Sequence, residues 1–249
     1  MSELLARARS PELSNRPMLL VPVGSTEQHG PHLPLGMDTV IAKAVAHRTA
    51  DVMRKAGVDV VSAPAVAYGS SGEHQHFAGT VSIGTEVLQL LLVELVRSAA
   101  SWAGQCVFVN GHGGNVPAVV AAVRQLRYEG HDVAWAACVP TPERDAAPVD
   151  SHAGRIETSL ALFLVPDDVR LERAEPGALE PMSALLSRMR VGGVASVSPN
   201  GVLGDPSGAT SQEGLRLLWS MVADVVSSAV VWAPDGHGRL RDQPRSVVA

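Results

Sequence analysis

Short continuous apolar runs alternate along the chain with longer segments whose apolar residues recur every three or four positions. The runs Met18–Val23 (M-L-L-V-P-V), Val58–Ser62, Cys106–Asn110 and Val133–Val139 are bounded by glycine, proline or polar residues and predict strands. The periodic segments predict helices over Thr39–Lys55, Thr85–Ala103, Val116–Glu129, Thr158–Leu164, Met182–Arg190 and Ala209–Trp232. Asp38 stands where an N-cap belongs, and Gly57, Gly104 and Gly130 follow predicted helix ends. Val194–Val202 predicts a short hairpin turning near Gly201. The strand runs do not alternate apolar with polar residues, as expected when both faces of a sheet are covered. Strands followed by helices then give a mostly parallel sheet in a single three-layer α/β/α domain over residues 1–232. Residues 233–249, containing Pro, Gly and Arg, read as a flexible C-terminal tail.

Composition narrows the function. The 249 residues are 46% hydrophobic and carry a net charge of −5, with no block of like charges, so no nucleic-acid partner is expected. The two cysteines, Cys106 and Cys138, lie in strand-like runs outside any C-x-x-C, which excludes a disulfide scaffold and a thiolate zinc site. The first residues, M-S-E-L-L-A-R-A-R-S-P, have no secretory apolar run. Val87–Trp102 contains Glu94 and Arg97 and is too short to span a bilayer. A cytoplasmic protein with no membrane partner is the expectation. The anomaly is nine histidines against two lysines, Lys43 and Lys55.

Six of those histidines fall in four glycine-rich turns beside predicted strand ends, the edge where open α/β sheets bind ligands. In Gly24–Thr39 (G-S-T-E-Q-H-G-P-H-L-P-L-G-M-D-T), Glu27 and His29 are two apart, so on extended backbone both side chains point the same way. Asp38 follows in the same segment. Asn110–Asn115 (N-G-H-G-G-N) joins a strand to a helix and presents His112, yet matches neither G-x-G-x-x-G nor a P-loop. Asp150–Ser159 brings His152 and Glu157, and Tyr68–Thr80 brings Glu73, His74 and His76. The plainer alternatives are a capped, solvated loop, a core histidine, and a Glu157 that only complements a helix dipole. Glu27, His29, Asp38, His112 and Glu157 form a mixed N/O donor set suited to Zn, Fe or Mn. Five ligands exceed the three of a catalytic zinc and fit two divalent metals if one carboxylate bridges, Asp38 being the natural bridge. H-E-x-x-H and G-x-S-x-G are both missing.

With those residues in hand, the sequence resembles the creatininase family of metal-dependent amidohydrolases. The carriers are Gly24–Pro34, Asp38-Thr39, G-E-H-x-x-F-x-G-T (Gly72–Thr80), Asn110–Asn115, H-x-G-x-x-E-T-S (His152–Ser159) and G-V-x-G-D-P (Gly201–Pro206). The resemblance implies an α/β/α fold, two metals bridged by water or hydroxide, and a homo-oligomer, hexamer or octamer. It matches the five residues above to metal-ligand positions and His152 to the catalytic histidine. Glu73, His74 and Asn115 are candidates for substrate contact or for supporting the ligands. Creatininase itself carries a metal-binding Glu where this chain has Gly114, and a substrate-covering Trp near the segment that here reads Pro148, Val149, Asp150, Ser151. A more open site suits a peptide. The pattern is similar to the branch that trims a ribosomally made precursor peptide, releasing a fragment derived from its modified C-terminal Val-Tyr. Two alternatives stand beside it: an amidohydrolase of a small cyclic amide or formamide, and a metal-dependent binding partner without chemistry.

Overall fold

Four strands, β1 (Met18–Val23), β2 (Val60–Ser62), β3 (Cys106–Asn110) and β4 (Val133–Ala137), pair in parallel in the order β2-β1-β3-β4. The computed structural model describes residues 4–13, 15–140 and 150–241. Leu20 lies opposite Ser62, Val23 opposite Asn110, and Asn110 opposite Ala137. All six residues of β1 are buried, which explains its unbroken apolar run.

Successive side chains feed opposite layers. Met18, Leu20, Val107 and Val109 pack with α1 (Met37–Lys55), α4 (Arg155–Leu164) and α6 (Ser211–Val231). Leu19, Val21, Cys106 and Phe108 pack on the other face with α2 (Thr85–Ala99) and α3 (Val116–Tyr128). The expected three layers are therefore present. A smaller cluster joins Leu185 of α5 (Met182–Gly192) to Val194, Leu203 and Phe77. α6 is the one described helix long and apolar enough to cross a membrane, yet Leu218, Met221, Val222 and Val225 are buried in the domain core.

Several boundaries move. α2 stops at Ala99, β2 begins at Val60, β4 ends at Ala137, and α4 starts at Arg155. The hairpin expected over Val194–Val202 does not form. Val194–Ser196 is a 3-10 turn, and the backbone beyond Gly201 pairs with His152 instead. The first part of the expected tail is tied to the sheet. Trp135 N–H donates to the Gly238 carbonyl, and Leu240 N–H donates to that of Trp135. Residues 242–249 lie outside the described residues. Asp38 is not an N-cap: Gly36 holds that position, and Asp38 is buried in the first turn of α1.

The strand order reverses direction between β1 and β3. At such a switch point the loops leaving two neighbouring strands part and open a crevice.

Candidate metal centre

The loop after β1 carries Glu27 and His29, the turn after β3 carries His112, and α1 opens with Asp38. The segment beyond β2 supplies Glu73 and His74 from a 3-10 turn. The segment beyond β4 supplies His152 and, from the first turn of α4, Glu157. Residues scattered from 27 to 157 thus meet in one buried cluster above the sheet. Of the proposed substrate-side residues, His74 stands 3.3 Å from Glu27 and Glu73 stands 3.4 Å from His112. Asn115 faces inward as a strap: its amide accepts from Ser70 N–H and donates to the Gly24 carbonyl. His76 lies outside the cluster.

Two donor triads stand out, Glu27–Asp38–His112 and His29–Asp38–Glu157, each with ligand atoms within 4.8 Å of one another. Asp38 belongs to both. Its oxygens lie 3.4 Å from His29 Nε2 and 3.2 Å from His112 Nδ1, and Ser25 donates to it. Glu27 Oε2 is 3.2 Å from His112 Nε2. A third triad, Glu27–His29–His152, overlaps the first two.

The donor set tests well against a metal. Both Glu27 oxygens and His29 Nε2 are buried without an aligned hydrogen bond. Unsatisfied buried carboxylate oxygens are costly unless something else occupies their lone pairs. His29 Nδ1–H donates to the Glu27 carbonyl at 3.1 Å, which turns Nε2 toward the carboxylates as a ligand histidine requires.

Without a metal, protons carry the compensating charge. Burial pulls His29 down, but Asp38, with Glu157 and Glu27, raises it to about 10. Burial opposes a proton on His112 too, and Glu27, Asp38 and Glu73 outweigh it and hold the ring well above the usual range. Burial and Asp38 push Glu27 up to about 7, and burial pushes Glu157 up to about 7. Burial also opposes charge on Asp38, yet His29 and His112 hold it well below the carboxylate range.

His152 differs. Burial, reinforced by His29 and His74, holds it well below the usual range, so the ring is neutral. Its Nε2 lies 2.8 Å from the Gln28 carbonyl, which can only accept, so Nε2 carries the proton. Nδ1 is then the free lone pair, facing Glu27 Oε1 at 3.8 Å and Glu157 Oε2 at 4.0 Å. The Gln28 amide donates to His74 Nδ1 at 2.8 Å and to the Gly201 carbonyl at 3.1 Å. Ala153, at φ 53°, turns its N–H onto Glu157. Such left-handed non-glycine backbone concentrates at functional sites.

Ser25, Gln28, Ser71 and Asp150 complete the surroundings without having been singled out from the sequence. Ser71 Oγ is 3.5 Å from His112, and Asp150 accepts from Ile156 N–H to cap α4. Ser25 and Gln28 sit inside the G-S-T-E-Q-H-G motif, the one signal that could have found them.

A family model described as creatinine amidohydrolase (Creatininase) matches residues 6–229. The mycofactocin precursor peptide peptidase of Mycolicibacterium smegmatis is 54% identical over 225 residues, covering 90% of this chain and 89% of that protein. Its counterpart from Mycobacterium tuberculosis (strain H37Rv) is 52% identical over 242 residues, covering 95% of this chain and 94% of that protein. Among solved structures, a manganese form of creatininase superposes with a TM-score of 0.75 at 26% identity, covering 91% of this chain and 96% of that one.

Proposed function

The chain belongs to the creatininase family, and from that premise we propose that it is a two-metal peptidase acting on a mycofactocin precursor peptide. It is a hydrolase of C–N bonds, as the family is. The finer reading is that it releases the fragment derived from the modified C-terminal Val-Tyr of that peptide. The observation that carries the two-metal reading is Asp38, one carboxylate common to two donor triads.

In this reading Glu27, Asp38 and His112 hold one divalent ion, and His29, Asp38 and Glu157 hold the other; Zn, Fe and Mn all suit these donors. Bound there, the ions would supply an acidified water and polarise the amide carbonyl. The chain's own groups do the rest. His152, neutral and fixed by the Gln28 carbonyl, offers Nδ1 to a proton and passes that proton to the leaving amine. The Gln28 amide holds His74, whose Nε2 stands 3.3 Å from Glu27 Oε1 without an aligned hydrogen bond to it. A cavity of about 540 Å³ opens beside Gln28, lined among others by Leu35, Phe77, Arg173 and Pro199. Its size falls in the range of ligand sites and suits several residues of extended peptide.

The working protein in this reading is one domain over residues 1–232, in the cytoplasm, assembled as a hexamer or octamer. Exposed Val87, Leu90 and Leu91 on α2, and Trp219, Val230 and Val231 on α6, support assembly. The test is direct: incubate metal-loaded protein with the modified precursor peptide and weigh the products. A shortened peptide plus a small C-terminal fragment is expected. An unchanged peptide alongside turnover of a small cyclic amide would overturn the peptidase reading.

A further inference from the structure

Five histidines are buried, and four of them form the cluster already described; His32 is the fifth. It sits on the tight turn that presents His29. Gly30, at φ +65°, begins that turn, and His29 pairs with Leu33 across it. The His32 ring leaves the loop and reaches α4, where Nε2 lies 2.8 Å from Thr158 Oγ1. Thr158 is buried too and directly follows Glu157.

The other ring nitrogen of His32, Nδ1, is buried with no hydrogen-bond partner among the described residues. Burial, reinforced by the charge on His29, lowers the ring to about 4, so it carries one N–H at pH 7. That proton belongs on Nε2, where the Thr158 hydroxyl accepts it; on Nδ1 it would be a buried donor with nothing to receive it. An apolar side chain of similar size would leave no orphan at Nδ1, so the bond from Nε2 is what the imidazole contributes here.

That bond has a counterpart. Gln28 and His32 flank His29 along one segment, and His152 and Thr158 flank Glu157 along another. The Gln28 carbonyl accepts from His152 Nε2–H at 2.8 Å, as Thr158 accepts from His32. Two buried hydrogen bonds thus bracket the His29–Glu157 pair, whose Nε2 and Oε2 stand 3.8 Å apart. Arg170 N–H donates to the His32 carbonyl at 2.9 Å and ties down the same turn. Neither the loop nor the helix alone fixes the spacing of its donor from the other's; the two cross-links do.

Resting on the two-metal reading above, we infer that His32 is a positioning residue for the ion of the His29–Asp38–Glu157 triad: its hydrogen bond to Thr158 sets the distance between the His29 loop and the first turn of α4. The Glu27–Asp38–His112 ion does not depend on that bond, because none of its three donors lies on α4.

Metal uptake tests this without turnover. Metal-free wild type, His32→Leu, His32→Gln, Thr158→Val and the double variant His32→Leu/Thr158→Val are titrated with Co²⁺ by calorimetry and by visible absorption. His32→Leu and Thr158→Val should each weaken one of the two ions by about 10-fold and shift its cobalt bands, with the other ion unchanged. The double variant should bind no more weakly than either single one, because both changes remove the same bond. His32→Gln, whose amide keeps an N–H near the place of Nε2, should recover most of the affinity. If His32→Leu does not fold, Thr158→Val against Thr158→Ser, which keeps the hydroxyl, carries the comparison. Wild-type affinity for both ions in Thr158→Val, equal weakening of both ions, or additive losses in the double variant would overturn the assignment and leave the two-metal reading standing. A wild type that takes up no metal would overturn both.

Discussion

Metal loading should release protons, and the number follows from the cluster. At pH 7 the metal-free protein holds one proton on His29, raised to about 10, and one on His112, held well above the usual range. Glu27 and Glu157, each near 7, hold about half a proton apiece. Ligands must be deprotonated to bind, so filling both positions should expel about three protons. Protons sit on the metal-free form, so acid favours that form and base favours the loaded one. Each released proton weakens loading tenfold per unit fall in pH, so a drop of one unit near pH 7 should cost about 10³-fold, or about 4 kcal/mol, for the pair of ions. The dependence steepens below about 7, where both glutamates are protonated, and flattens between about 7 and 10, where only the imidazoles still titrate. Calorimetric titration with Zn²⁺ in two buffers of different ionisation heat counts the protons. Release of fewer than about one proton at pH 7 would refute the charge balance and the ligand set behind it.

Asp38→Asn should lower the content of both ions at once, whereas Glu157→Gln should remove mainly one; elemental analysis after dialysis checks this, and equal losses would contradict the bridge. His152→Ala should keep metal content and slow peptide turnover by roughly 10²–10⁴-fold; an unchanged kcat would take the residue out of the mechanism. Gly201, at φ +81°, lies against the Gln28 amide, so Gly201→Ala should cost about 1–3 kcal/mol in a urea melt through strain and collision. Phe108, fully buried beneath α2 and α3, should lose about 3–5 kcal/mol on replacement by Ala, and a loss under 1 kcal/mol would argue against the layer assignment.

The layers were legible because burial on both faces leaves a mark in one dimension. β1 and β3 read as unbroken apolar runs, and their ends agree with the structure to the residue. Failures fell where tertiary pairing overrode local pattern. Val194–Val202 has the glycine and the β-branched residues of a hairpin, but Leu203 instead exchanges backbone hydrogen bonds with His152, 51 positions earlier. Ala233 onward looked loose from its composition, and no local signal shows that Trp135 needs partners for its backbone and indole N–H groups, which Gly238 and His237 supply. Asp38 shows the same limit at the site. At a helix start an aspartate reads equally well as a cap, and only the fold reveals that Ser25, His29 and His112 converge on it.

The histidine surplus has a corresponding physical reading. Four histidines, His29, His74, His112 and His152, share one buried cluster with neighbouring ring centroids as close as 4.4 Å, yet they are held in opposite protonation states. His29 and His112 face carboxylates on their inner nitrogens and keep their protons; burial, reinforced by neighbouring charged imidazoles, strips His74 and His152 of theirs, His74 falling to about 4. The carboxylate field is strongest at the first pair, where Asp38 reaches both rings, so that is where a metal would take the place of protons. The second pair stays neutral beside the bound ions, because two nearby cations oppose a further positive charge. Gln28 then sets the tautomers of that neutral pair: its carbonyl accepts from His152 Nε2–H and its amide donates to His74 Nδ1, which leaves His152 Nδ1 as the free lone pair.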